Sequence, residues 1–194
     1  MGVIHLKDKD IVSLFWSRNQ EAIVESEKKY GASCFRVANN ILGSIEDAQE
    51  CVSDTWFHAW NGIPPQKPEK LGSFLLKITR NLSLNRLRDG KTQKRGGGES
   101  MLALEELAQC IASSENVETT LEARELGACI RRFVRNLPER EGNIFVRRYF
   151  YTDPLADIAK RYGLTENNVT VILSRTRKKL KDQLVKEGLL DECL

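Results

Sequence analysis

LADIAKRYGLTENNVTVILSRTRKKL, residues Leu155 to Leu180, is the stretch whose reading decides the fold. It reads as two short helices joined by a tight turn, the second ending in a basic run. Small Ala159 sits where two crossed helices come closest, Gly163 can supply the positive φ that ends the first helix, and Thr165 can cap the second. Ile158, Tyr162, Leu164, Val169 and Ile172 carry apolar bulk at spacings that let the two helices close over one small core. Agreement at so many fixed offsets defines a helix-turn-helix that grips DNA. The bland alternative, a plain helical hairpin, leaves the cations Arg175, Arg177, Lys178, Lys179 and Lys181 unexplained, although a basic run taken alone is more often a solvated face.

Outward from this motif the chain is helical nearly throughout. A helix is expected from Glu118 to about Asn136, Pro138 opens another over Glu139 to Phe150, and Asp153-Pro154 leads into the helix-turn-helix. Gly90 to about Val117 reads as a linker, because Gly96-Gly97-Gly98 raises backbone entropy and the flanking charge changes sign; Met101 to Ile111 reads as a short amphipathic helix within it. Nearer the N-terminus, Asp10 to Glu27 and Lys28 to Leu42 show helical apolar spacing, with Gly43 closing the second. Ser44 followed by Asp47 opens a third helix that runs through Ala48, Val52, Thr55, Ala59 and Trp60 and stops at Asn61-Gly62. Pro64, Pro65 and Pro68 make Ile63 to Gly72 a stiff loop. From Ser73 the helical pattern resumes through FLLKITRNLSLNRLR, with Phe74, Leu75, Ile78 and Leu82 on the buried stripe. No period-two alternation bounded by hairpin turns occurs, so the expected fold is all-α: two small helical domains, residues 1–90 and 118–194, joined by a flexible linker over residues 91–117.

A chain of 194 residues with 41% hydrophobic content suits this plan, and no apolar run approaches the roughly twenty residues that span a bilayer. The start MGVIHLKDKD lacks the apolar core of a signal peptide, so a cytoplasmic protein is expected, and Leu6 stands where a myristoylation motif needs Ser or Thr. Cys34, Cys51, Cys110, Cys129 and Cys193 are odd in number, widely spaced and form no Cys-x-x-Cys pair, which argues for reduced thiols, most of them filling cores. With only His5 and His58 as imidazoles, no metal site is expected. No Ser/His/Asp set appears and GGGES lacks the Gly-Lys-Ser/Thr ending of a phosphate loop, so neither a catalytic residue nor a cofactor is expected.

Net charge is only +3, but it is unevenly spread. Phe74 to Arg95 holds Lys77, Arg80, Arg86, Arg88, Lys91, Lys94 and Arg95 against Asp89 alone, whereas Glu99, Glu105, Glu106, Glu115, Glu118, Glu122 and Glu125 then face only Arg124. Two basic blocks separated by an acidic one imply two contacts with a polyanion.

With both basic helices placed, the chain resembles the bacterial extracytoplasmic-function (ECF) sigma factors, the small promoter-recognition subunits of RNA polymerase. SIEDAQECVSDTWFHAW, Ser44 to Trp60, is similar to the family's region 2.2, FLLKITRNLSLNRLR to regions 2.3 and 2.4, and LPEREGNIFVRRYFYTDPLADIAKRYGLTENNVTVILSRTRKKL to region 4. The resemblance implies promoter-specific initiation without chemistry of the chain's own. It implies core polymerase as partner, through the β′ coiled coil and the β flap, with Asp47, Glu50 and Asp54 as polar contacts; these acids fall on one helical face. Trp56 and Trp60 read as core. The proline loop and the helix after it would hold the melted minus-ten strand, with Asn81 near the bases and Lys77, Arg80, Arg86 and Arg88 on phosphates. The second helix of the helix-turn-helix would enter the minus-thirty-five duplex, with Asn167, Asn168, Thr170, Ser174 and Arg175 facing bases and Arg177 and Lys178 the backbone. Here the chain departs from the family: Val171-Ile172 stands where many members carry Ser-Arg, which substitutes apolar contact to a thymine methyl for a cation. Members are often held inactive by an anti-sigma protein, a further implied partner.

Two alternatives stay open at this level. A stand-alone regulator would use the same helix-turn-helix on a duplex operator without polymerase. A recombinase or nuclease would use Asp47, Glu50 and Asp54 as metal carboxylates, although no third element supports it.

Overall fold

The computed structural model describes residues 6–89, 102–103, 105–108 and 120–190, and these contain helix and turn but no β-strand. The chain divides into two compact units, Met1–Gly97 and Gly98–Leu194. Among the described residues no helix is long and apolar enough to cross a membrane.

The first unit holds α1 (Asp8–Trp16), α2 (Glu21–Leu42), α3 (Ile45–Gly62) and α4 (Leu71–Arg88). Its boundaries follow local chemistry. Gly43 takes φ 66° and ends α2, while the Ser44 hydroxyl accepts the Asp47 N–H at 3.2 Å and starts α3. One boundary differs from expectation: α2 runs unbroken through Glu27 and Lys28, and the break falls instead at Ser17–Gln20. Nothing at Glu27 ends a helix, and Lys28 pairs with Glu25 at 2.7 Å across one turn. At the true break Arg18 has φ 54°, and the Asn19 side chain accepts the Glu21 N–H at 2.9 Å. Ile11, Phe15, Cys34, Val37, Ile41, Leu71 and Leu75 are buried between the helices. Each large apolar side chain so removed from water contributes about 1.5–3 kcal/mol against the entropy of ordering the chain.

The buried stripe of α4 is also rotated from expectation. It consists of Leu71, Leu75, Leu76, Thr79 and Ser83, whereas Phe74, Ile78 and Leu82 are only partly covered. Buried hydroxyls are tolerated because each donates to the carbonyl one turn back, Thr79 to Leu75 at 3.0 Å and Ser83 to Thr79 at 2.8 Å; Thr79 also meets Thr55 of α3 at 3.0 Å. The N-terminus of α4, just after the proline loop, is fixed from far away in sequence. Asp8 Oδ2 accepts the Leu71 N–H at 3.0 Å, and its Oδ1 accepts from Lys29 Nζ at 2.8 Å and from the Tyr30 hydroxyl. Tyr30 lies so close to Gly72 that a Cβ there would come within 2.6 Å of the ring.

The second unit holds α5 (Thr120–Asn136), α6 (Glu139–Tyr149), α7 (Leu155–Tyr162) and α8 (Glu166–Lys186). Its core includes Phe133, Ile144, Phe145, Tyr149, Ile158, Val169, Leu173 and Leu180, with Phe145 and Tyr149 ring centroids 4.6 Å apart. Residues 102–103 and 105–108 are helical and touch this core through two side chains: Ala103 is fully buried in it and Leu107 packs against it. The rest of the expected linker, with Cys110 and the start of the expected helix at Glu118, lies outside the described residues, as do His5 and Cys193. Cys34, Cys51 and Cys129 are buried free thiols.

Candidate nucleic-acid interface

The helix-turn-helix is built as its residues require. Gly163 adopts φ 62° and its N–H caps α7 on Ala159 O; the Thr165 side chain accepts the Asn168 N–H at 3.2 Å and starts α8. Ile158, Ala159 and Val169 are buried at the crossing, with Tyr162, Leu164 and Ile172 packed against them. Arg140 Nη2 donates to the Tyr162 carbonyl at 3.1 Å, which ties α6 to the end of α7.

On α8 the stripe Val169, Leu173, Thr176, Leu180 and Leu184 faces the core. Asn167, Asn168, Thr170, Ser174, Arg175 and Lys178 are all exposed. Helical phase separates Val171 from Ile172. Ile172 turns toward the core, while Val171, 38% exposed, joins Asn167, Ser174 and Lys178 on one outer stripe. Arg177 is placed differently from the other six side chains expected on DNA. It lies at the margin of the core stripe, and its Nη1 donates to Glu106 Oε2 at 2.8 Å and meets the Tyr149 hydroxyl. Lys179 also has an internal partner, Glu141 at 3.1 Å.

On α4, Lys77, Asn81 and Arg88 are exposed at spacings that share a face, and Arg88 Nη2 donates to Asn85 Oδ1 at 2.6 Å. Arg80 is only partly exposed, and burial pulls its pKa below the usual guanidinium value. Arg86 reaches away to α3, where it pairs with Glu50, lies 3.7 Å from Asp47 Oδ1, and donates to the Asp47 carbonyl at 3.4 Å. Two residues expected to meet polymerase and one expected to meet DNA are thus joined to each other. Asp54 is exposed on the same helix.

Beside these acids runs an apolar groove between α2 and α3, lined by Ile23, Val24, Ser53, Trp56, Phe57 and Trp60. Trp56 is 7% exposed, in keeping with a core role, whereas Trp60 is only partly buried, lying against Phe15 with Arg18 over its ring. Phe57 is 66% exposed on the rim. Its position three residues after Asp54 places it beside that acid, a relation visible in sequence once the helix phase is known.

Residues 28–93 match the family model described as sigma-70 region 2, and residues 134–182 match sigma-70, region 4. The chain belongs to the sigma-70 family of sigma factors, with the two-domain architecture of an ECF-type member. It is a sigma factor for promoter recognition, a DNA-binding regulatory protein whose domains imply core RNA polymerase and promoter DNA as partners. No curated protein matches the chain well enough to count as a relative.

Proposed function

We propose that the chain reads promoters at two places while docked on core polymerase, acting in the cytoplasm. α3 presents Asp47, Glu50 and Asp54 with the Phe57 rim to the β′ coiled coil, and the second unit meets the β flap. Lys77 and Arg88 take phosphates of the melted minus-ten strand, with Asn81 near its bases; Arg80, from its part-buried place, supports that face. α8 enters the minus-thirty-five major groove with Asn167, Asn168, Thr170, Ser174 and Arg175 toward base edges and Lys178 on the backbone. Val171 supplies apolar contact suited to a thymine methyl. The observation that carries this assignment is the pairing of two different helical units, each matching a sigma region and each showing a stripe of exposed cations and amides on one helix.

The test is strand opening. With core polymerase and a promoter selected from a random template pool, permanganate should modify unpaired thymines near minus ten only when the chain is present. Lys77→Gln combined with Asn81→Ala should reduce that opening while leaving core affinity intact. Opening that is indifferent to both substitutions would remove α4 from the melted strand. Tight binding to one duplex operator without core would favour a stand-alone regulator.

A further inference from the structure

The carboxylate of Glu106 gathers the polar groups at the base of α8. Its Oε1 accepts from Arg148 Nη2 at 3.3 Å, and its Oε2 accepts from the Tyr149 hydroxyl at 3.1 Å and from Arg177 Nη1 at 2.8 Å. Glu106 lies upstream of the residues that match region 4, in the stretch that reads as inter-domain linker. Ala103, Glu106 and Leu107 sit at the three- and four-residue spacing of one helical face, and that face lies against the second unit. Of the three donors Arg148 and Tyr149 are buried, and Arg177, at 22% exposed, is the one that a phosphodiester oxygen could also engage.

We infer that the helical residues 102–103 and 105–108 act as a detachable clip that holds Arg177 off DNA in the free chain. The inference rests on taking α8 as the duplex-reading helix. Arg177 lies at the edge of the exposed surface of α8, 22% exposed, so it is the cation there that a short rearrangement can turn toward a phosphate. The clip is small enough to leave: Ala103 is its one described side chain that is fully buried, Leu102 is 54% exposed and Glu106 is 30% exposed. When it leaves, Arg148 keeps its hydrogen bond to the Asp153 carbonyl at 3.4 Å. While the clip is closed, the Glu106 carboxylate holds the Arg177 guanidinium inward and the backbone contact expected of Arg177 is withheld.

Binding of the full-length chain to a short mixed-sequence duplex, measured over a salt series, tests this. Glu106→Gln should tighten binding severalfold and steepen the log–log salt dependence by about 0.9, the increment for one added phosphate contact. Arg177→Gln in the otherwise unchanged chain should alter neither affinity nor slope, because that cation is already occupied, and the double variant should match Arg177→Gln. A weaker, shallower response from Arg177→Gln alone would overturn the clip, as would an unchanged slope for a natively folded Glu106→Gln. Should Glu106→Gln fail to fold, Leu107→Asp, which loosens the same helix from the core, takes its place in both measurements with the same expected and overturning results. A readout independent of DNA is phenylglyoxal modification mapped by mass spectrometry. Arg177 should react far more slowly than Arg175 in the unaltered chain and approach it in Glu106→Gln; equal rates in the unaltered chain would overturn the clip. If no variant binds duplex yet Arg177 is unmasked by Glu106→Gln, the clip stands and the DNA role of α8 falls.

Discussion

Replacing Arg86 by Gln separates a DNA contact from an internal strut. Arg86 bridges α4 to Glu50 and Asp47 on α3, and the side chains of Arg86, Glu50 and Asp47 are 21%, 64% and 24% exposed. Ion pairs that face water to this degree contribute about 0–1 kcal/mol. A cationic surface on core polymerase that takes up Asp47 and Glu50 must first displace Arg86, at a cost of at most about 1 kcal/mol, or about fivefold in Kd. Arg86→Gln should therefore tighten core binding by up to about fivefold, with the gain shrinking as salt rises. Glu50→Gln should weaken it. The assay is fluorescence anisotropy of the labelled chain titrated with core at two ionic strengths, with thermal melting as the folding control. Weaker core binding by a normally melting Arg86→Gln would show that Arg86 itself serves the polymerase interface, and would refute the reasoning.

Thr165→Ala removes the hydroxyl that accepts the Asn168 N–H and should cost about 1 kcal/mol, roughly 4–8 °C in the melting of a unit this size. Burial alone would raise the Asp8 pKa, but hydrogen bonds from Lys29, Tyr30 and the Leu71 N–H hold it below 3.8. Its contribution to stability is therefore complete above the ordinary carboxylate range and lost as pH falls through the depressed value, so acid should destabilise the unaltered chain more than Asp8→Asn in melts followed below about pH 4. Arg175→Ala should weaken minus-thirty-five recognition by roughly 1–3 kcal/mol, read in promoter competition, with core affinity unchanged.

The turn between α7 and α8 was legible because its determinants are local: one glycine at positive φ and one threonine cap specify both helix ends. The caps at Gly43 and Ser44 were legible for the same reason. The break before α2 was hidden because an Asn side chain closing on the N–H two residues later looks, in sequence, like any polar surface residue. The phase of α4 is not legible in sequence, because Thr79 and Ser83 are polar types that bury by bonding to their own helix, which hydropathy does not register. The partnerships of Arg86 with Glu50 and of Arg177 with Glu106 join residues 36 and 71 positions apart, and charge patterning alone cannot choose between an internal partner and a phosphate. Those side chains were found as cations of interest, but their present partners belong to the tertiary fold.

On the proposed function, this chain confers promoter selection on core polymerase through both of its units. Run-off transcription from a pool of templates, with core enzyme in the presence and absence of the purified chain, tests it most directly. The expected result is discrete transcripts that require both proteins and come from templates sharing two sequence blocks, near minus ten and minus thirty-five. Transcripts that are independent of the chain, or selection of one duplex block that persists without core, would contradict it.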